Sequence, residues 1–107
     1  MINGEMKMYY TYMIRCKDNS IYTGMTNNID NRVKEHISGV GAKYTKLHQA
    51  EKLEIAWSSK SKSLACKLEY QLKQLNKLQK ESIIKGEKIT KYLKGKIDGR
   101  RYRRVEV

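Results

Sequence analysis

The sequence predicts a small domain of the α/β (α+β) class, in which a three-stranded, mainly antiparallel sheet is flanked by helices. Its 107 residues are enough for one domain. Short runs rich in aromatic and β-branched residues occur near the start and the middle of the chain, and amphipathic stretches lie between and after them. The resulting order is strand, strand, helix, strand, helix, helix, which favours a sheet covered by helices.

The first two predicted strands form a hairpin. Residues 9–15 and residues 21–25 have strand composition, and residues 17–20 (Lys-Asp-Asn-Ser) have turn composition. Gly24, inside the second run, indicates a bulge or the close approach of another backbone segment.

Helices and a third strand follow. The apolar spacing of residues 29, 33 and 37 predicts a helix that Asn27 or Asn28 caps and Gly39 ends. We expect residues 39–49 to form a loop and residues 53–57 to form the third strand. Ser61 caps a second predicted helix, whose apolar stripe is Leu64, Leu68, Leu72 and Leu75. A shorter helix runs from about residue 77 to residue 84, between Asn76 and Gly86.

Residues 87–107 are predicted to be a basic extension, ordered at most in part, of a domain that occupies residues 8–86. Between residues 91 and 107 there are seven basic and two acidic residues, and apolar residues are few. Four arginines surround Tyr102: Arg100, Arg101, Arg103 and Arg104.

The charge of the chain predicts a polyanionic partner. Lys and Arg together number 23 and Asp and Glu 11, a formal net charge of +12. Such a field attracts nucleic acid, our favoured partner, or less strongly an anionic membrane surface. A basic surface that serves solubility alone is the third possibility.

Other features exclude several classes of protein. The chain has no apolar stretch long enough for a transmembrane helix and no signal-like start, so we expect a cytoplasmic protein. The two cysteines, Cys16 and Cys66, lie 50 residues apart, and we expect both to be buried and reduced. The two histidines, His36 and His48, lack the spacing of a zinc site.

The candidate site residues come from both strands of the hairpin and from two helices. Tyr12 and Tyr22 can share one sheet face, and Arg32 and His36, four apart, share a helical face beside the apolar stripe. Glu69 is a lone carboxylate among lysines and either pairs with Lys73 or binds a metal ion. Taken singly, each is also explained as an ordinary strand tyrosine, solvated arginine or boundary histidine.

Taken together, these residues resemble the GIY-YIG nuclease superfamily, and in particular its small stand-alone bacterial members. Tyr-Thr-Tyr at residues 10–12 stands in place of Gly-Ile-Tyr, and Tyr-Thr-Gly at residues 22–24 is a variant of Tyr-Ile-Gly. Arg32, His36 and Glu69 follow at matching places, as does the segment Gly-Ala-Lys-Tyr-Thr at residues 41–45. The resemblance covers roughly residues 8–86.

The resemblance implies a metal-dependent endonuclease that acts on DNA or on RNA. The position of Tyr22 is that of the general base, and the position of Tyr12 is that of the residue that binds the nucleophilic water. Arg32 then contacts the scissile phosphate, His36 stands where relatives carry His or Tyr, and Glu69 holds one Mg²⁺ or Mn²⁺. Met25 departs from the excision-repair relatives, which carry a lysine there that would favour the ionised tyrosine.

Binding of nucleic acid is expected at basic and aromatic residues around this site, which are Lys43, Tyr44, Lys73 and the four C-terminal arginines. A plain surface loop explains Lys43 and Tyr44 equally well. Two alternative functions stay open: a non-catalytic nucleic-acid-binding module on the same fold, and a partner within a ribonucleoprotein. Nothing in the sequence requires a dimer.

Overall fold

A four-stranded antiparallel sheet with helices on both faces forms the protein. The computed structural model describes residues 7–107, and the sheet order is β2-β1-β3-β4. The strands are β1 (Tyr9–Cys16), β2 (Ile21–Thr26), β3 (Ala50–Ser59) and β4 (Arg103–Val105). The helices are α1 (Ile29–Ser38), α2 (Lys43–His48), α3 (Lys62–Lys73), α4 (Lys77–Ile84) and α5 (Thr90–Leu93), with a 3₁₀ turn at Gly99–Arg101. No helix within residues 7–107 is long and apolar enough to cross a membrane.

The helices α1, α3 and α4 begin at the capping residues that the sequence predicted. The side chain of Asn28 accepts a hydrogen bond from the Asn31 amide at the start of α1, and Ser61 accepts one from the Leu64 amide at the start of α3. Asn76 and Gln79 form a capping box at the start of α4. Gly39 ends α1 in the left-handed conformation, with φ of 87°.

The two faces of the sheet have different coverings. One face, here called the site face, carries Tyr12 and Ile14 and packs on the apolar side of α1. The opposite core face carries Met13, Ile55 and Trp57, and it packs on α3 and α4. The hydroxyl of Thr11 ties α3 to this face by donating to the Ala65 carbonyl at 2.9 Å.

The predicted strand count is wrong, because the C-terminal stretch adds a fourth strand. β4 pairs with β3, and Val105 lies opposite Ala56. Ile89, Leu93 and Ile97 are buried in the cluster on the core face. Residues 87–107 are therefore integrated into the fold, rather than forming the largely unordered tail that their charge predicts.

Three local predictions also need correction. Residues 39–49 contain α2, which is too short to show a helical period in the sequence. The apolar stripe of α1 is rotated: Ile37 is 51% exposed, whereas His36 is fully buried. Cys16 is buried as expected, but Cys66 is exposed, and both are free thiols.

A network of partly buried ion pairs joins the hairpin to β3 and α4. The guanidinium of Arg15 donates to Glu54 at 2.9 Å and, through both terminal nitrogens, to the carboxylate of Glu81 at 2.5 and 2.6 Å. The Arg15 side chain is only 11% exposed. Bidentate pairs of this kind fix orientation as well as adding energy, so the network holds the hairpin at a set angle to α4.

The burial of Leu93 predicts a large cost for its truncation. Leu93→Ala should lower the free energy of unfolding by about 2–5 kcal/mol, because it leaves a cavity in the core. Leu78→Ala is the control: Leu78 is 83% exposed, and its loss should change stability by about 0.5 kcal/mol or less. Urea unfolding followed by Trp57 fluorescence measures both, and equal effects would contradict the integrated C-terminal stretch.

Candidate active site

The hairpin register brings Tyr12 and Tyr22 to the site face. Tyr12 lies opposite Gly24, and Tyr22 lies opposite Ile14. Facing residues of an antiparallel pair share a face, and alternate residues of a strand do too, so both tyrosines project toward α1. Their ring centroids are 6.4 Å apart.

His36 lies between the two tyrosines and completes an aromatic cluster. Its ring centroid is 5.6 Å from that of Tyr12 and 5.1 Å from that of Tyr22. Tyr44 of α2 extends the cluster, 5.7 Å from Tyr22, and stacks on His48 at 4.1 Å. One face of Tyr44 is therefore already covered by protein. His48 is also hydrogen-bonded to Asp18 in the hairpin turn, which links α2 to β1 and β2.

A buried chain of hydrogen bonds fixes the protonation of His36. The Thr45 hydroxyl donates its one proton to the Ala42 carbonyl at 3.0 Å, so its oxygen accepts from His36 Nδ1 at 2.6 Å. With the proton on Nδ1, Nε2 accepts from the Tyr12 hydroxyl at 2.7 Å. The chain thus leaves the lone pairs of the Tyr12 oxygen available to a further donor.

The pKa values of His36 and Tyr12 agree with a pair in which both side chains are neutral. Burial, followed by the positive charge of Arg32, lowers the pKa of His36 to about 4. Burial, followed by the charge of Tyr22, raises the pKa of Tyr12 to about 12, although Arg32 opposes the rise. Tyr12 is therefore a hydrogen-bonding group rather than a base at neutral pH.

Two glycines leave the space that this pair occupies. A Cβ atom on Gly24 would lie 2.6 Å from the Tyr12 hydroxyl oxygen, and one on Gly41 would lie 2.5 Å from His36 Nδ1. Gly24 therefore marks a close approach, one of the two interpretations offered by the sequence, but the approaching group is the Tyr12 side chain rather than another backbone. Neither glycine has a φ in the left-handed region, so space alone explains the lack of a side chain.

The two charged candidates lie close enough to Tyr12 to affect its pKa. Arg32, partly exposed, pairs with Glu35 at 2.9 Å and has its pKa raised by that pair, with Tyr12 contributing further. Glu69 of α3 also raises the Tyr12 pKa through its negative charge. Its carboxylate, 22% exposed, pairs with Lys73 at 3.1 Å, which is one of the two interactions that the sequence predicted for Glu69.

The other predicted contact residues are spread around this centre. Lys43 is exposed at the first residue of α2. The four C-terminal arginines lie in the 3₁₀ turn and β4, at the sheet edge opposite β2. Sequence reasoning missed Thr45 and the role of Gly41, although both stand in the segment of residues 41–45 that it singled out.

The close contact between Gly41 and His36 predicts that a larger residue at position 41 disturbs the structure locally. Gly41→Ala should displace the His36 ring and lower stability, since backbone and ring atoms of His36 lie within 2.9 Å of the added carbon. Gly95→Ala is the control: Gly95 has φ of 83° and no atom near its added carbon, so it costs stability through the backbone alone. NMR resonances of the His36 ring should move in the first variant and stay in place in the second. Unmoved His36 resonances in Gly41→Ala would contradict the close packing.

The neutral state of His36 predicts a pH dependence with a definite sign. Its pKa is about 4 when folded, against 6.5 for a free side chain, so the unfolded chain binds the extra proton first. Stability from this group is complete above pH 6.5 and is lost as the pH falls toward 4, by up to about 3 kcal/mol. An NMR titration of the His36 ring checks the pKa, and its ¹⁵N shifts check the Nδ1–H tautomer. A midpoint near 6.5 or an Nε2–H tautomer would contradict the hydrogen-bond chain.

Comparison with known proteins gives the family. The family model of the GIY-YIG catalytic domain matches residues 8–82. A UPF0213 protein of Fusobacterium nucleatum is 49% identical over 76 residues, covering 71% of this chain and 76% of the relative. The UPF0213 protein YazA of Bacillus subtilis is 40% identical over 87 residues, covering 81% of this chain and 88% of the relative. A solution NMR structure of a UPF0213 protein from Bacillus halodurans is 41% identical, covers 73% of this chain and 83% of its own, and has a TM-score of 0.48. The chain therefore belongs to the GIY-YIG family.

Proposed function

We propose that the protein is an endonuclease that hydrolyses phosphodiester bonds in nucleic acid, with DNA as the favoured substrate and a divalent metal ion as cofactor. The observation that carries the proposal is the aromatic cluster of Tyr12, His36 and Tyr22, which has a guanidinium and a carboxylate within electrostatic reach. A binding surface does not require a buried, tautomer-defined Tyr–His pair. An active site gains from one, because fixed orientation of a reacting water lowers the barrier.

The two tyrosines take different roles in this proposal. The Tyr12 hydroxyl gives its proton to His36 Nε2, so its oxygen accepts a hydrogen bond from the nucleophilic water and orients it. Tyr22, half-buried and without a hydrogen bond to another described side chain, acts as the general base in its phenolate form, which takes the proton of that water and becomes a neutral tyrosine. His36 positions Tyr12 rather than accepting a full proton, since its own pKa is about 4.

Arg32 is the candidate ligand for the scissile phosphate. Its salt bridge to Glu35 uses one terminal nitrogen and leaves the other N–H groups of the guanidinium for a phosphate. The planar fork of arginine matches two phosphate oxygens. Its position on α1, one turn before His36, places this charge beside the water-binding tyrosine.

Glu69 is the candidate metal ligand, and the chemistry of the site fits a single Mg²⁺ or Mn²⁺. Mg²⁺ is often bound through one or two carboxylates with several waters, so one partly exposed carboxylate suffices. Within residues 7–107, no three His, Cys, Asp or Glu side chains are grouped as a complete metal cage. When bound, the ion would supply positive charge to the phosphate and lower the pKa of a coordinated water. The pair with Lys73 uses Oε2 of Glu69, which leaves Oε1 available to an ion.

The Glu69–Lys73 pair also favours a second candidate function, a nucleic-acid-binding module without useful turnover. A carboxylate that already pairs with an i+4 lysine needs no metal to explain its presence. The net charge of +12 supports binding by counterion release in either case. Metal dependence of cleavage separates the two candidates.

Cleavage by matched variants tests the proposal. Supercoiled plasmid, branched DNA, single-stranded DNA and RNA are incubated with the protein in Mg²⁺, Mn²⁺ or EDTA. Glu69→Gln and Tyr22→Phe should each lower the metal-dependent rate by about 10²- to 10⁴-fold, because each removes a group acting in the reaction.

Two controls match these changes within the same chain. Glu87→Gln breaks the Glu87–Lys91 pair, another i+4 pair at 3.2 Å, and Tyr70→Phe alters an exposed tyrosine beside Glu69. Both should retain wild-type cleavage. Salt-sensitive binding with no cleavage by the wild type under either metal would instead establish the binding module.

A further inference from the structure

We propose that the polynucleotide backbone runs from the active site across the site face of the sheet to β4, where Arg103 holds a phosphate. This inference rests on the proposed nucleic-acid substrate and adds to it a path and a specific contact. The path follows what we call the outer row, which consists of Thr26, Tyr10, Ser58 and Arg103.

The strand register defines the outer row. Thr26 pairs with Tyr10, Tyr10 pairs with Ser58, and Ser58 pairs with Arg103. Tyr10 is two residues from Tyr12, so the whole row shares the site face with the catalytic tyrosine. The neighbouring row contains Gly24, Tyr12, Ala56 and Val105. Arg103 is therefore one row along and two strands across from Tyr12, which is a separation of about 12 Å between Cα atoms.

The first turn of α1 connects this row to the reaction centre. The Asn28 amide donates to the Thr26 hydroxyl at 3.1 Å, so the helix starts where the outer row meets β2. Arg32 lies in the first turn of that helix and His36 one turn later, over Tyr12. The candidate phosphate ligand Arg32 thus lies toward one end of the outer row, and Arg103 lies at the other.

Of the two arginines in β4, Arg103 is the one whose guanidinium lies on the site face without a partner among the described residues. Arg100 is paired with Asp98 at 3.1 Å, and Arg104 donates to the Ile84 carbonyl at 3.4 Å on the core face. Arg103 is exposed, and within residues 7–107 its guanidinium has no ion pair or hydrogen bond. Its free guanidinium on the site face distinguishes Arg103 from Arg104, although the two are adjacent in sequence.

The surface next to Arg103 is suited to a phosphodiester backbone. A groove of about 630 Å³ at this end of the sheet is lined by Ser58, Tyr102 and five basic residues, which are Lys60, Arg100, Arg101, Arg103 and Arg104. The residues described around it include no carboxylate. A separation of about 12 Å corresponds to three or four nucleotides at 3.4 Å each along a duplex. β4 also lies outside residues 8–82, so the contact belongs to the chain beyond the matched catalytic domain.

Equilibrium binding of two matched variants tests the path. Arg103→Gln and Lys96→Gln each remove one positive charge from an exposed residue, so a general electrostatic field would treat them alike. Lys96 lies outside the groove that contains Arg103 and outside the candidate active site. Labelled DNA and RNA oligonucleotides of roughly sixteen nucleotides are titrated in EDTA over a salt series. On the DNA, Arg103→Gln should reduce the slope of log Kd against log salt by about 0.7–0.9, the value of one phosphate contact. Lys96→Gln should leave that slope unchanged.

A conservative variant and the outcomes that contradict the proposal complete the test. Arg103→Lys should restore the slope, because lysine also binds phosphate. Equal slopes for Arg103→Gln and Lys96→Gln, or an unchanged slope in Arg103→Gln, would overturn the path. An effect confined to RNA would retain the path and change the substrate. Binding in EDTA needs no turnover, so a protein that fails to cleave can still confirm the path. If the protein cleaves nucleic acid but Arg103→Gln leaves the salt slope unchanged, the path is refuted and the proposed nuclease function is not.

Discussion

The buried imidazole of His36 is the constraint on which the rest of the site depends. A fully buried polar ring is tolerated when both nitrogens are satisfied, since an unpaired buried donor or acceptor costs about 1–3 kcal/mol. One nitrogen requires Thr45 and therefore the short helix α2, and the other requires Tyr12 at the centre of the sheet. The single side chain thus ties α1, α2 and β1 into one arrangement, and it leaves no room for a Cβ atom on Gly41.

A second set of polar contacts gives this arrangement a stable base. On the core face, Arg15 joins β1 to β3 and α4 through two carboxylates, and Tyr102 donates to the Leu64 carbonyl at 2.7 Å. The hairpin that carries both tyrosines is thereby attached to the helix layer beneath it and to the C-terminal stretch. The side chains of the candidate active site lie on strands and helices rather than on long loops, and such elements hold geometry better.

Local signals made much of the fold predictable. The hairpin, the caps Asn28, Ser61 and Asn76, and the stripe of α3 all depend on residues close together in sequence. β4 was missed because its strand character comes from backbone pairing with β3, while its arginines look like a solvated tail; charged residues are common on edge strands. The burial of His36 was missed because it depends on Thr45 and Tyr12, which only the tertiary fold brings together. The roles of Tyr22, Arg32 and Glu69 in the reaction stay predictions.

The placement of β4 has a consequence for how the protein is made. Every candidate site residue from Tyr12 to Glu69 leaves the ribosome before Arg103 does, since synthesis proceeds from the N-terminus. Until β4 has been synthesised, the edge of β3 that it covers, at Ala56, Trp57 and Ser58, is an open hydrogen-bonding edge in the nascent chain. β4 therefore protects a newly made molecule from pairing with neighbouring nascent chains, in addition to completing the sheet.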